Sequence, residues 1–104
     1  MSVGILAETK PVPSDTALMY FQDVGNGVTG NVFFVNQGEF GDFVRIAITP
    51  FGQVPQPESY LLYDTVVPPH HTVVLQEIAL AVLERLYVYS QNGTTSFVYT
   101  GTMY

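Results

Sequence analysis

The sequence contains no cysteine and few charged residues: charged side chains make up 12% of its 104 residues, with nine acids against three cations. The lack of cysteine excludes disulfide bonds and thiolate metal sites. The three cations, Lys10, Arg45 and Arg85, are too few to match a run of phosphates, and the net charge is −6. Nucleic acids and anionic membrane surfaces are therefore excluded as partners.

Long apolar runs are also missing. No stretch of the chain approaches the roughly 18 apolar residues that a membrane-spanning helix needs. Residues 1–6 have no basic segment, and their apolar run is too short for a secretion signal. We therefore expect no signal peptide and no membrane-spanning segment.

The low charge predicts something about the surface. An ordinary soluble domain has about 25% charged residues, whereas the apolar share of this chain, 47%, is ordinary. The cores of protein interfaces are depleted in Lys and Glu and enriched in aromatic residues. The composition thus predicts that much of the surface contacts other protein; a low-charge monomer is the alternative.

Eight short runs rich in Val, Ile, Phe, Tyr and Thr alternate with turn signals along the chain. In one of them Val44, Ile46 and Ile48 share one face of an alternating strand. The length suits a single domain. We predict an all-β fold, a small antiparallel β-sandwich, jelly-roll-like, with seven or eight strands. The runs are 3–7, 17–22, 31–36, 43–49, 59–64, 72–76, 86–90 and 96–100.

Residues 75–86 fit two structures. They contain good helix formers, and a short helix near residues 76–84 is one prediction. The other is strand, two-residue turn and strand, with Ile78 and Leu80 facing the same way. Four apolar residues recur at helical spacing: Leu75, Ile78, Val82 and Leu86.

The pair Asn92-Gly93 is the one that tight β-hairpin turns prefer, and we expect it to join the seventh run to the eighth. Alternation then places Tyr87 and Tyr89 on one face, with Tyr99 beside them across the hairpin. Such a tyrosine stripe is either the wetter edge of the core or a contact surface.

Two motifs invite a ligand-binding interpretation. Residues 25–30 match G-x-G-x-x-G, but a nucleotide-binding loop must open a helix, and a strand-like run follows here. His70 and His71 are adjacent, so on extended backbone they point to opposite faces, and no metal-ligand spacing accompanies them. We therefore predict no cofactor and no metal site.

Catalytic patterns are equally weak. None of the serines lies in a G-x-S-x-G frame. Asp42, Glu58 and Asp64 are candidates for paired-carboxylate chemistry only because the chain has few acids. We predict that the chain is not an enzyme.

A set of core and turn segments extends over nearly the whole chain: residues 3–11 (VGILAETKP), 15–18 (DTAL), 35–38 (VNQG), 44–48 (VRIAI) with Pro50 and Gly52, 60–68 (YLLYDTVVP), 86–90 (LYVYS) and Val98. In these segments the chain resembles a family of small virion structural proteins of tailed bacteriophages, best represented among cyanophages and other marine phages. The resemblance implies a non-enzymatic β-sandwich on the phage particle.

Two turns depart from the pattern of that family. Members carry Val-Pro-Ala-Gly after the second strand, where this chain has residues 23–27 (DVGNG). Members also carry Gly-Asp where this chain has Leu83-Glu84. The second departure falls within residues 75–86, where the resemblance implies strand–turn–strand, and we favour that prediction over the helix.

The expected organisation is an extended N-terminal arm, residues 1–13, in which Pro11 and Pro13 limit regular structure, followed by one sandwich domain, residues 14–104. The expected function is a capsid decoration or cement protein that binds the particle surface and stabilises neighbouring subunits. Its expected partners are the major capsid protein and further copies of itself, for instance in a trimer. The predicted interface residues are Val3, Ile5, Leu6, Tyr87, Tyr89, Tyr99, Met103 and Tyr104.

Two other functions remain open. One is an adaptor module of the tail, baseplate or fibre, which would also be a virion protein assembled in the bacterial cytoplasm but present in few copies. The other is a carbohydrate-binding module that uses the tyrosines as stacking platforms.

Overall fold

The computed structural model describes residues 3–22, 27–50 and 53–103. Within these residues the chain forms eight β-strands and one short 3₁₀ turn, Pro57–Ser59. Strand follows strand because β-branched and aromatic residues dominate each run and Gly, Pro, Asn or Asp interrupt the runs. The strands are β1 Val3–Thr9, β2 Thr16–Phe21, β3 Gly27–Asn36, β4 Asp42–Thr49, β5 Tyr60–Val67, β6 Thr72–Ala81, β7 Arg85–Ser90 and β8 Thr95–Met103.

The strands form two four-stranded antiparallel sheets. Sheet A has the order β1-β8-β3-β6, and sheet B has the order β2-β7-β4-β5. The first strand pairs with the last, the second with the seventh, the third with the sixth and the fourth with the fifth. This is a long antiparallel hairpin rolled over a core, the strand order of a jelly roll. The predicted all-β sandwich is therefore confirmed.

The core lies between the sheets and follows the period-two alternation. In β3, Val32 and Phe34 are buried while Phe33 between them is exposed. Phe34 stacks on Phe97 of β8, with ring centroids 5.6 Å apart. From sheet B, Val44 and Ile46 point into the same core, so the predicted faces of β4 are confirmed for both.

Residues 75–86 form the end of β6, a turn, and the start of β7. The strand–turn–strand prediction is confirmed, and the alternative of a helix near residues 76–84 is wrong. Pairing with β3 decides the outcome, because it buries Ile78 and Leu80 together on the inner face. Tertiary contacts thus override the helix propensity of this segment. Within the described residues, no helix is long and apolar enough to cross a membrane.

The prediction of a hairpin at Asn92-Gly93 is wrong. Strand β7 lies in sheet B and β8 in sheet A, so residues 91–94 cross between the sheets. Both edges of β7 are already occupied, by β2 on one side and β4 on the other. No edge of β7 is left for β8, and the turn residue Gly93, at φ 71°, redirects the chain to the other sheet.

The predicted N-terminal arm is largely part of the sandwich. Residues Val3–Thr9 form β1, which pairs with β8 at the edge of sheet A. The ladder is irregular at Leu6, which packs against the core. A boundary at residue 13 therefore does not separate an arm from the domain, because the strand ladder already holds residues 3–9.

Candidate functional site

A buried polar cluster ties the start of β4 to the β7–β8 connection. Asp42 is completely buried, and its carboxylate accepts hydrogen bonds from the Ser90 hydroxyl, the Thr95 hydroxyl (2.6 Å) and the backbone N–H of Asn92 (2.8 Å). An acid beside a serine resembles a catalytic pair, but both side chains are inaccessible to a substrate. The cluster acts as a clamp that fixes where the chain changes sheets.

Asn36 forms a second clamp at the same end of the sandwich. Its Nδ2 donates to the carbonyls of Phe40 (2.7 Å) and Val67 (3.0 Å). Its Oδ1 accepts from the Gly38 N–H (2.9 Å) and the Thr94 hydroxyl (2.8 Å). Hydrogen bonds from the two clamps thus satisfy polar groups in the connections around residues 37–41 and 91–94.

The three acids considered for catalysis do not share a cleft. Asp42 lies in the buried clamp, Glu58 is exposed in the 3₁₀ turn, and Asp64 lies on β5 beside Arg45. Paired-carboxylate chemistry needs two acids on either side of one bond. This arrangement does not provide that geometry.

The histidines and the glycine motif have structural explanations. His70 is exposed, with Nε2 3.5 Å from Glu39 Oε1, and the His71 ring contacts the Pro69 carbonyl at 2.9 Å. Among the described residues no group of three or more potential metal ligands occurs. Of residues 25–30, those from Gly27 onward belong to β3 rather than to a loop before a helix. Gly25 and Asn26, the first two residues of the motif, lie outside the described residues.

The outer face of sheet A carries an apolar patch, which we call the apolar face. Its central row runs across all four strands as Glu8, Val98, Phe33 and Val74. The exposed fractions are 37% for Phe33, 39% for Val74 and 64% for Ile5, which pairs with Thr100 one row away. Glu8, at the edge strand, is the only charged residue of the central row. The apolar face comprises Ile5, Phe33, Val35, Val74 and Val98.

The outer face of sheet B carries a different feature, the tyrosine stack: Tyr89, Arg45, Tyr63 and Tyr60. The Arg45 guanidinium lies between two rings, 4.3 Å from the Tyr89 centroid and 4.2 Å from the Tyr63 centroid. Tyr60 meets Tyr63 edge to face, with centroids 4.9 Å apart at 79°. Cation–π and aromatic contacts hold these rings in place before any partner arrives.

A β-bulge creates the tyrosine stack. Between the pairs Val44–Thr65 and Ile46–Leu62, β4 has one residue, Arg45, while β5 has two. The extra residue brings both Tyr63 and Asp64 opposite Arg45, and Asp64 adopts φ 52° to allow it. Arg45 Nε lies 2.6 Å from Asp64 Oδ1, and this hydrogen bond raises the pKa of Arg45 above its ordinary value, against a smaller opposing effect of burial.

A groove opens beside the far end of the tyrosine stack. It encloses about 490 Å³ and is lined by Pro55, Gln56, Pro57, Tyr60 and Tyr63. The hydroxyls of Tyr60 and Tyr63 make no hydrogen bond within the described part of the chain. The described part of the groove lining is therefore aromatic and uncharged, and it presents the two tyrosine hydroxyls.

The structure distributes the predicted interface residues over several places. Ile5 is exposed on sheet A, and Leu6 is half-buried against the core. Tyr87 and Tyr89 are half-buried on the outer face of sheet B, as their alternation with buried Leu86 and Val88 predicts. The side chains of Val3 and Met103 are not among those described, and Tyr104 lies outside the described residues.

Tyr99 corrects the predicted tyrosine stripe. It is fully buried on the inner face of sheet A, and its hydroxyl donates to the Ile78 carbonyl at 2.7 Å. Its ring meets Tyr20 edge to face at 5.5 Å. Because β8 lies in sheet A and not beside β7, Tyr99 is separate from Tyr87 and Tyr89, and its side chain is buried in the core.

Sequence reasoning missed Phe33 and Val74. Their signal was present, because Phe33 alternates with the buried Val32 and Phe34 and must face outward. The contact between Arg45 and Tyr63 had no such signal, since it depends on a bulge in β5.

No protein-family model matches the chain, and a search of curated proteins finds no significant match either.

Proposed function

We propose that this chain is a non-enzymatic structural protein of a bacteriophage virion, and more specifically a capsid decoration protein that binds the particle through its apolar face. The observation that carries the proposal is that face itself. Antiparallel sheets in water commonly alternate apolar residues inward with polar residues outward. Here Phe33, Val74 and Ile5 face outward instead, and neighbouring exposed apolar residues mark surfaces that another protein covers.

The position of the charges supports a sheet face as the contact. Four exposed or half-buried acids lie in the connections rather than on the apolar face: Asp15, Glu39, Glu58 and Glu84. Charge is depleted in the centre of protein interfaces and tolerated at their rim. The central row of the apolar face, whose one charged residue is Glu8 on the edge strand, has that composition.

Two further observations favour a capsid as the partner. The core and turn segments resemble those of small virion proteins of tailed bacteriophages. The jelly-roll strand order is also common in viral capsid domains. Fold analogy alone does not assign a function, so the proposal depends on the apolar face and its experimental test. Self-association, for instance as a trimer, is part of the proposal and is measurable by light scattering of the isolated protein.

The test compares two matched variants in particles of a phage that encodes the chain. Val74→Glu places a charge on the apolar face at the edge strand of sheet A. Val66→Glu places the same charge on the outer face of sheet B, again at an edge strand, where the valine is 54% exposed. Both variants are first checked for an unchanged melting temperature. Their copies per particle are then measured relative to the major capsid protein.

We expect Val74→Glu to reduce the copies per particle at least tenfold and Val66→Glu to leave them unchanged. A tenfold loss corresponds to about 1.4 kcal/mol, a modest effect for a charge placed in an apolar contact. Equal copies for both variants would refute the assignment to the apolar face. A wild-type copy number far below that of the capsid protein would favour a tail, baseplate or fibre position instead.

A further inference from the structure

We propose that the groove beside the tyrosine stack binds a neutral saccharide, which packs against the rings of Tyr60 and Tyr63 and hydrogen-bonds to Gln56 and the tyrosine hydroxyls. The site is on sheet B, and the apolar face that we propose for particle binding is on sheet A. The two contacts therefore do not compete for the same surface.

The rings are fixed before the ligand arrives. Tyr63 is 57% exposed, yet its ring is held by the Arg45 guanidinium at 4.2 Å and by the Tyr60 ring at 4.9 Å. An exposed side chain that already occupies one position loses little conformational entropy on binding. The face of an aromatic ring is electron-rich, and the C–H groups on one side of a pyranose ring are its natural complement.

The opposite wall of the groove is also rigid. Pro55 and Pro57 have fixed φ angles on either side of Gln56. The Ser59 N–H donates to the Gln56 carbonyl at 2.9 Å, and the Gln56 N–H donates to the Ser59 hydroxyl at 3.1 Å. The backbone of Gln56 is thus held by the 3₁₀ turn. Its side-chain Nε2 donates to the Val54 carbonyl at a long 3.4 Å, and at this exposed position the amide can bind sugar hydroxyls as donor and acceptor.

The charges favour a neutral ligand over an anion. The nearest cation, Arg45, is already bonded to Asp64 at 2.6 Å, and none of the described residues that line the groove is charged. A chain with a net charge of −6 also repels phosphates and acidic sugars at longer range. The volume, about 490 Å³, lies within the range of roughly 300–1,000 Å³ that small-molecule sites occupy.

A proline-rich peptide is the main competing ligand, because such peptides bind aromatic grooves. They insert prolines between neighbouring rings, whereas the Tyr60 and Tyr63 rings are almost perpendicular, at 79°. The free hydroxyls and the Gln56 amide suit a ligand rich in hydroxyl groups better than a peptide rich in proline.

The test uses the full chain and a glycan array of neutral glucose-, mannose-, galactose- and N-acetylglucosamine-based oligosaccharides. Affinity for the best oligosaccharide is then measured by calorimetry. We expect Tyr60→Ala to weaken binding at least tenfold and Gln56→Ala, at an exposed position, to weaken it several-fold. Tyr87→Ala removes a tyrosine from the same sheet face outside the groove, and we expect it to leave affinity unchanged. The melting temperature of each variant shows that it is folded.

Failure of wild-type protein to bind any neutral oligosaccharide at millimolar concentration would overturn the proposal. The proposal would also be overturned if Gln56→Ala and Tyr60→Ala both bound the oligosaccharide with wild-type affinity. Binding of decaproline in place of any saccharide would overturn it as well. The particle-binding proposal is tested separately, because Tyr60→Ala should leave the copies per particle unchanged while Val74→Glu should leave saccharide affinity unchanged.

Discussion

Replacement of Asp42 by alanine is the sharpest test of how the sandwich is held together. The carboxylate is fully buried and accepts three hydrogen bonds, from the Ser90 and Thr95 hydroxyls and the Asn92 N–H. All three donors lie in or beside the connection that carries the chain from sheet B to sheet A. Without the carboxylate, these donors are left in a site that is poorly reached by water.

The size of the effect follows from those three bonds. A hydrogen bond to a charged group contributes about 1.5–3 kcal/mol, and a buried donor left unpaired costs about 1–3 kcal/mol. The contributions overlap, so we expect Asp42→Ala to lower the free energy of unfolding by about 3–5 kcal/mol. For a domain of this size, this loss lowers the melting temperature by roughly 15–30 °C. It is a large part of the total free energy of unfolding, which is ordinarily about 5–15 kcal/mol.

Two further variants make the result interpretable. Asp42→Asn keeps the shape of the side chain and one acceptor oxygen, and the Ser90 and Thr95 hydroxyls can rotate to accept hydrogen bonds from its amide. We therefore expect it to lower the free energy of unfolding by about 1–2 kcal/mol. Asp15→Ala removes the same charge from an exposed connection, and we expect a change within about 0.5 kcal/mol. Urea unfolding followed by circular dichroism gives all three values. A loss below about 1 kcal/mol for Asp42→Ala would refute the idea that the clamp stabilises the crossing.

Three further local features are tested by the same unfolding measurement. Gly30→Ala would place a Cβ 1.9 Å from the Thr100 carbonyl oxygen, so we expect it to lower the free energy of unfolding by more than about 3 kcal/mol. The control Gly41→Ala has its nearest contact at 3.5 Å and should change that free energy by less than about 1 kcal/mol. Similar losses for the two variants would contradict this prediction. Leu83 adopts φ 72°, a conformation that costs a non-glycine residue about 1–2 kcal/mol. We therefore expect Leu83→Gly to leave the free energy of unfolding unchanged or to raise it, although glycine adds entropy to the unfolded chain. A decrease above about 1 kcal/mol would show that this strain is absent. Arg45→Lys keeps the charge but cannot lie flat between two rings, so we expect a loss of about 1 kcal/mol; an unchanged midpoint would show that the guanidinium contacts are not stabilising.

Local sequence pattern predicted the strands well because each strand has one buried face. Alternation in residues 43–49 identified β4, and Pro50 ends it, since proline cannot donate to the strand ladder. The same alternation separated Leu86 and Val88, which are buried, from Tyr87 and Tyr89.

Pairing between distant strands could not be predicted from local pattern. Asn92-Gly93 has the residues of a hairpin turn, yet its strands join different sheets, because β7 has a neighbour on both edges. Because of the wrong hairpin, Tyr99 was predicted to lie in a stripe with Tyr87 and Tyr89, whereas it lies in the core. The tyrosine stack was missed for a related reason, since a bulge has no clear sequence signal and β5 needs one to bring Tyr63 to Arg45.

The turn at Leu83 shows how a local rule and the fold can disagree. Residues 75–86 contain good helix formers, but β6 and β7 belong to different sheets, so the chain must reverse sharply between them. Leu83 makes that reversal in the left-handed conformation, and its N–H donates to the Gln22 carbonyl at 2.5 Å. A glycine at this position would adopt this conformation without strain.

The central claim is that the chain is a structural component of the capsid surface. The most direct test is its copy number in purified particles, measured by quantitative mass spectrometry against the major capsid protein. We predict a copy number of the same order as that of the capsid protein, with loss of the chain from particles when Val74 is replaced by Glu. Absence of the wild-type chain from particles would contradict the claim.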